Sequence, residues 1–208
     1  MKELTPDTKF YVNDYGIILD KYDRFALFQQ LLRDLISAGA PVDAIGLQSH
    51  IGGDDALDWN MIKERVETLS EEFNLPIWIT EFDWNGDELA EFGDHSRHAE
   101  IVEDFYRLMF SLEAVEGIVA WRTNTLTSDM TPNKAGLAYI NLYHHQWRSS
   151  QSLVPDQTTE ASFRGFRGDY SIRIKKDGEV LARIEFPLDG DVTFECVNQL
   201  NSLNCNRK

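Results

Sequence analysis

The chain has 208 residues, 42% of them hydrophobic, and a formal net charge of −15 at pH 7. A surface of this sign repels phosphate backbones and anionic lipid, so we expect neither nucleic acid nor a membrane as a partner. No apolar run of about 18 residues is present, and the first ten residues lack the apolar stretch of a secretory signal. The chain as written is therefore expected to be either cytosolic or the later part of a longer parent.

Short apolar runs alternate with longer helical patterns along the first 147 residues. Strands are predicted at 9–13, 42–48, 75–82 and 117–121, and helices at 23–38, 58–73, 94–112 and 133–147. Strands that are apolar on both faces and alternate with helices predict a parallel sheet covered by helices, which is α/β architecture. No glycine-rich dinucleotide fingerprint or P-loop opens any of these helices, so a nucleotide-binding fold loses its main support.

The character of the sequence changes after Trp147. A polar stretch is followed by short alternating runs, which predict strands at 161–166, 169–175, 179–186 and 191–197. The Asp-Gly pair at 177–178 is typical of a hairpin turn. The predicted domains are an α/β part at 1–149, a linker at 150–159 and a small antiparallel β module at 160–208.

The cysteine and histidine spacings indicate no metal site or cofactor. Cys196 and Cys205 match neither a zinc knuckle nor a CxxC pair, and a local disulfide and two free thiols are both compatible with the sequence. His95 and His98 lie three residues apart, and the pair at 144–145 is adjacent, but no carboxylate spacing completes a ligand set. We therefore expect surface histidines.

Polar residues stand at the end of each predicted strand of the α/β part. In a parallel barrel these carboxyl ends carry the functional groups. Carboxylates, amides and an indole on one rim suit sugar chemistry, although each residue alone fits an ordinary structural role. The strand-end residues are Asn13 and Asp14, then Gln48, Ser49 and His50, then Glu81 and Asp83, and finally Trp121 and Arg122.

The order of these motifs resembles glycoside hydrolase family 10. The segments similar to the family's fifth to eighth strands are FYVNDYG at 10–16, IGLQSH at 45–50, LPIWITEFD at 75–83 and GIVAW at 117–121. Residues 133–149 resemble the closing helix of animal members, and 163–174 resemble the β tail attached to many of them. The resemblance implies the C-terminal half of a (β/α)₈ barrel, retaining endo-1,4-β-xylanase-like chemistry on a β-1,4-linked polysaccharide, and an extracellular location.

The resemblance also implies roles for seven residues. Glu81 stands where the family places its catalytic nucleophile, His50 would hydrogen-bond Glu81 and keep it ionised, and Asp83 would orient His50. The residues implied to contact the sugar are Asn13, Tyr15, Gln48 and Trp121, the last as part of an aromatic floor.

Two departures from the family pattern limit the expected activity. Retaining glycosidases use a second carboxyl about 5–5.5 Å from the nucleophile. The family's acid/base glutamate follows an asparagine on the fourth strand, and no Asn-Glu dipeptide occurs in the 208 residues. After Trp121 the sequence reads RTNTLTSDMTPN, where the family has glycine and further tryptophans.

These departures leave the enzyme assignment open. We expect hydrolysis by this chain to be absent or very low. The alternative is a non-catalytic carbohydrate-binding or matrix protein, and a third possibility is a nonfunctional truncation product. Half a barrel would leave two strand edges unpaired, so self-association through those edges is expected as well.

Overall fold

The computed structural model describes residues 6–53, 55–85, 96–121, 125–155, 159–200 and 202–208. The chain divides into two compact units, Met1–Leu142 and Tyr143–Lys208. The domain limits drawn from the sequence, at residues 149 and 160, stay a prediction. Among the helices within these ranges, none combines the length and the apolar character that a membrane crossing requires.

The first unit is a parallel sheet with helices between its strands. The strands are β1 Tyr11–Asp14, β2 Ala44–Leu47, β3 His50–Gly52, β4 Ile77–Asn85 and β5 Val115–Ala120; the helices are α1 Arg24–Ser37, α2 Trp59–Phe73, α3 Ser96–Ser111 and α4 Lys134–Asn141. Strands β1, β2, β4 and β5 lie side by side in chain order, and all pairs are parallel. The α/β prediction is confirmed.

Strand β3 was missed by the sequence analysis. It has three residues and follows β2 after Ser49, which adopts a left-handed φ of 63°. His50 then pairs with Asp83, because β4 continues to Asn85 and so extends past the predicted end of that strand. The fourth helix is also shorter than predicted, since its α-helical part ends at Asn141 and a π-helical turn follows.

The helix ends follow from local chemistry. Asp58 caps α2 by accepting hydrogen bonds from the backbone N–H groups of Asn60 and Met61. Asn74 ends the same helix in the left-handed conformation, with φ of 50°. The Asn133 side chain caps α4 through the N–H of Gly136.

The core of this unit lies between the sheet and the helices. Phe82 of β4 stacks face to face on Phe105 of α3, with ring centroids 4.0 Å apart. Each fully buried aliphatic or aromatic side chain contributes roughly 1.5–3 kcal/mol to folding. The fully buried side chains include Leu32, Ile45, Leu47, Ile62, Leu69, Ile77, Ile79, Ile101 and Met109.

The opposite face of the sheet carries aromatic side chains. Trp78 of β4 lies against Gly117 of β5 and donates its indole N–H to Glu116 over 3.2 Å. Tyr11 of β1 meets the Trp78 ring edge to face at 6.3 Å and is 38% exposed. Within the described ranges β1 and β5 each pair with one neighbouring strand, so both form edges of the sheet. Self-association through these edges stays a prediction.

The second unit contains two antiparallel hairpins, β6 Gly168–Lys176 with β7 Glu179–Leu188 and β8 Phe194–Gln199 with β9 Ser202–Arg207. Asp177 and Gly178 form the predicted turn, both with positive φ. Cys196 and Cys205 face each other across β8 and β9 and are joined by a disulfide. Of the two states that the sequence allowed, the structure contains the disulfide.

The predicted strand at 161–166 is wrong, and β9 was missed. The segment before β6 has no strand pairing, and side chains of its own unit contact it. The Tyr170 hydroxyl donates to the carbonyl of Phe166 and lies directly over Gly165. The Phe166 N–H in turn donates to the Ser149 hydroxyl. Alternation alone does not distinguish such a segment from a paired strand.

We expect Gly117→Ala to destabilise the first unit by about 1–3 kcal/mol through overpacking. A methyl group at this position would lie 2.6–2.8 Å from three carbons of the Trp78 ring. Urea unfolding followed by circular dichroism measures the change. Gly190→Ala is the matched control, because nothing lies within 4 Å of the added carbon there. An unchanged unfolding midpoint in Gly117→Ala would show that Trp78 moves freely.

Candidate active site

A β-bulge in β4 determines where Glu81 points. Between Ile79 and Phe82 the pairing of β4 with β5 shifts register, so that Thr80 and Glu81 lie opposite the single residue Val119. Strict alternation would place Glu81 on the same face as the buried Ile79, toward the helices. The extra residue keeps Phe82 in the helix-facing core and turns Glu81 to the other face.

Each oxygen of the Glu81 carboxylate has its own hydrogen-bond partner. Asn13, which lies on β1, donates from Nδ2 to Oε1 over 3.3 Å. His50 Nε2 lies 3.3 Å from Oε2. The Glu81 side chain is 19% exposed, so it is held on two sides and still reachable from solvent.

Asp83 fixes the His50 ring. Its Oδ1 lies 2.6 Å from His50 Nδ1, and its Oδ2 accepts from Asn85 over 3.0 Å. The Asp83 side chain is 2% exposed, which keeps water from competing for the contact. A ring that carries a proton on each nitrogen satisfies both Asp83 and Glu81 at once. The structure therefore brings together the three residues that were expected to be catalytic.

Thr80 is a member of this cluster that the sequence analysis did not find. Its hydroxyl donates to Oδ1 of Asn13 over 2.8 Å. The one sequence feature that could have indicated its role was its position next to Glu81. Alternation of side chains along a strand, however, predicts that neighbours face opposite ways, and the bulge removes that rule here.

The rim beside Asn13 is held by an ion pair. Arg24 contacts both carboxylate oxygens of Asp14 at 2.8 Å, and its guanidinium carbon lies 3.9 Å above the Tyr15 ring centroid. The hydrogen bond to Asp14 raises the pKa of Arg24 above its ordinary value. Tyr15 is 49% exposed, so its ring stays accessible to solvent beside this contact. Arg24 was not singled out from the sequence.

The remaining two predicted sugar-contacting residues lie at the same edge. Trp121 is 57% exposed, and its ring meets His50 edge to face at 6.3 Å. Its backbone N–H donates to the Phe82 carbonyl, so the hydrogen bonding between β4 and β5 extends to Trp121. Gln48 is half-buried. Its backbone N–H donates to the Asp14 carbonyl, which places it at this edge.

A tight turn shapes the loop between β5 and α4. The Asp129 carboxylate accepts hydrogen bonds from the hydroxyls of Thr127 and Thr131 and from the backbone N–H of Thr131. These bonds, led by that from Thr127, lower the pKa of Asp129 below its ordinary value. The turn presents Met130 to solvent.

No group of three potential metal-ligating side chains occurs in the ranges that the structure describes. His98 is buried, which corrects the expectation of a surface histidine. It lies on the stripe of α3 that also carries Val102 and Phe105, and the helical period turns all three toward the sheet. His95 lies outside the described residues, and the pair at 144–145 is exposed.

Parallel strands with functional side chains at their carboxyl ends define a site of the (β/α)₈ barrel class. Residues 1–145 match glycosyl hydrolase family 10. The chain therefore belongs to glycosyl hydrolase family 10.

Two curated relatives illustrate the match. The chain is 33% identical over 189 residues to anti-sigma-I factor RsgI6 of Acetivibrio thermocellus, which covers 86% of this chain and 23% of that protein. It is 28% identical over 184 residues to endo-1,4-beta-xylanase 1 of Arabidopsis thaliana, covering 83% and 18%. The chain thus spans about a fifth of the length of these relatives.

Solved structures show the same fold. Xylanase 10B of Thermotoga petrophila, in complex with xylobiose, superposes with a TM-score of 0.59 at 22% identity, over 70% of this chain and 49% of that one. Xylanase 10B of Thermotoga maritima gives a TM-score of 0.57 at 21% identity, over 70% and 49%. The prediction of a partial (β/α)₈ barrel is confirmed.

We expect Thr131→Val to move the pKa of Asp129 back toward its ordinary value, because the variant removes one donor hydroxyl. In the native turn the folded-state pKa is lowered, so the stabilisation is present above the unfolded pKa and is lost as pH falls through the folded one. Titration of the Asp129 carboxyl by NMR measures the change, with Thr68→Val on α2 as the control. An unaltered titration curve in Thr131→Val would contradict the assignment.

Proposed function

We propose that Glu81 is the nucleophile of a retaining glycosidase site that takes a β-1,4-linked, xylan-like chain. The observation that carries this proposal is the pair of contacts on its carboxylate, Asn13 on one oxygen and His50 on the other. They hold the group at the carboxyl edge of a family 10 sheet with one side open to solvent. Relatives named as endo-1,4-beta-xylanases and a xylanase bound to xylobiose support the choice of sugar.

In the proposed step, a Glu81 oxygen attacks the anomeric carbon and forms a glycosyl ester, while the bond to the leaving oxygen breaks. Negative charge leaves the carboxylate as the ester forms. His50 keeps its ring orientation during this change, because Asp83 holds the opposite nitrogen. Water later releases the sugar and regenerates the carboxylate.

Four residues are proposed to bind the sugar, namely Asn13, Tyr15, Gln48 and Trp121. The indole of Trp121 and the ring of Tyr15 are both exposed at the rim, and aromatic faces of this kind pack against pyranose rings. The amide of Asn13 can share its donors between Glu81 and a sugar hydroxyl.

We also propose that the 208-residue chain by itself hydrolyses xylan very slowly or not at all. A general acid that protonates the leaving oxygen typically contributes about 10²–10⁴ in rate. No Asn-Glu pair of the kind that supplies this acid in the family occurs in the sequence. The nucleophile can then react only with sugars whose leaving group needs no proton.

A second candidate function is carbohydrate binding without cleavage. One relative that aligns over 86% of this chain is named as an anti-sigma factor and not as a hydrolase, so a sequence similar to this chain occurs in a protein named for another role. This alternative predicts that the chain binds insoluble xylan and releases no reducing sugar.

We propose an extracellular or otherwise oxidising location for the protein. The disulfide between Cys196 and Cys205 supports it, since such bonds persist mainly in oxidising compartments.

The decisive experiment uses 2,4-dinitrophenyl 2-deoxy-2-fluoro-β-xylobioside. Attack by Glu81 would form a carbon–oxygen bond and release dinitrophenolate with its electron pair, so no general acid is required. We expect the intact mass to rise by one fluoroxylobiosyl group, and peptide mapping to place that group on Glu81.

Two variants sharpen this result. Glu81→Gln should remain unlabelled, whereas Glu116→Gln, which alters the carboxylate bonded to Trp78, should label like the wild type. Failure of the wild type to label while it binds insoluble xylan would favour the binding function. Labelling at another residue would overturn the role proposed for Glu81.

A further inference from the structure

The Asn13 side chain crosses a neighbouring strand to reach Glu81. Asn13 lies on β1 and Glu81 on β4, and β2 runs between them. At the crossing point Asn13 pairs with Gly46. A Cβ at Gly46 would lie 2.8 Å from the Asn13 Oδ1, closer than such atoms approach, and 3.0 Å from the Asn13 Cβ, tighter than most such contacts. The missing side chain at Gly46 therefore provides the path that the amide follows.

The orientation of the amide is set at its far end. The Thr80 hydroxyl donates to Oδ1 of Asn13 over 2.8 Å, which leaves the NH₂ group of Asn13 directed at Glu81. The reverse orientation would place a carbonyl oxygen against a carboxylate oxygen, two acceptors without a proton between them. Without the Thr80 hydroxyl, Oδ1 loses its partner and the amide loses this restraint.

Each oxygen of Glu81 thus has a hydrogen-bond partner whose orientation is fixed by a further residue. On one side Asp83 orients His50, and on the other Thr80 orients Asn13. Both orienting residues belong to β4, the strand that carries Glu81 itself. The donors, His50 and Asn13, lie on other strands. The residues that orient them, Asp83 and Thr80, belong to the same nine-residue strand as Glu81.

We propose that Thr80 and Gly46 are positioning residues that hold the Asn13 amide with its NH₂ group on Glu81, Gly46 by leaving the path open and Thr80 by fixing the orientation. The inference rests on the proposed nucleophilic role of Glu81. It assigns to Thr80 a function that depends on its hydroxyl and not on its shape.

The kinetic test measures labelling by the dinitrophenyl fluoroxylobioside over a range of concentrations. Thr80→Val keeps the shape of the side chain and removes the hydroxyl, so the maximal labelling rate should fall about three- to tenfold, the usual effect of one hydrogen bond between uncharged groups. Thr80→Ser should restore the rate, Gly46→Ala should lower it, and Thr68→Val should leave it at the wild-type value.

A second measurement needs no reaction. NMR of the Asn13 side-chain amide records whether its protons sense Glu81, and Glu81→Gln should shift them in the wild-type and Thr80→Ser backgrounds. In the Thr80→Val background we expect that shift to be lost. If the wild type does not label, the nucleophilic role of Glu81 fails, and the amide spectrum still decides the role of Thr80.

The proposal is overturned if Thr80→Val labels at the wild-type rate, or if the Glu81→Gln shift persists in that background. It is also overturned if Thr80→Ser is as slow as Thr80→Val, because shape would then matter and the hydroxyl would not. The Thr80→Val and Thr80→Ser variants still test the role of the Thr80 hydroxyl if Gly46→Ala fails to fold.

Discussion

The bulge at Thr80 and Glu81 is the constraint on which the site depends. The buried isoleucines of β4 face the helices, and an unbroken alternation would send Glu81 after them into the core. One extra residue on β4 opposite Val119 resets the alternation, so that Phe82 returns to the core and Glu81 lies on the opposite, open face of the sheet. Packing of Phe82 on Phe105 then anchors the strand from behind. The same local irregularity thus places Phe82 in the core and Glu81 on the open face.

Much of the fold follows from sequence periodicity. The four parallel strands β1, β2, β4 and β5 and their helices were predictable because apolar runs of about five to eight residues alternate with helical stripes. Strand β3 was not, since three residues carry no period, and its pairing depends on how far β4 extends. In the second unit, alternation at 161–166 predicted a strand where the Tyr170 hydroxyl and the Ser149 hydroxyl hold an unpaired segment instead.

Only part of the site was predictable from the sequence. Family resemblance pointed to Glu81, His50 and Asp83, and the structure places these three in contact. Thr80 and Arg24 were beyond reach, because their contribution arises from contacts made across the sheet or from the following helix. Gly46 illustrates the same limit, since an absent side chain acquires meaning only when the neighbouring Asn13 is seen to cross it.

The contact between Trp78 and Gly117 links two positions that lie far apart in the chain. The indole occupies the volume that any side chain on Gly117 would need. The two positions therefore share one fixed volume, and neither can change alone without disturbing the open face of the sheet. During divergence they should behave as a single site, in which a larger residue at 117 becomes acceptable only after 78 has become smaller.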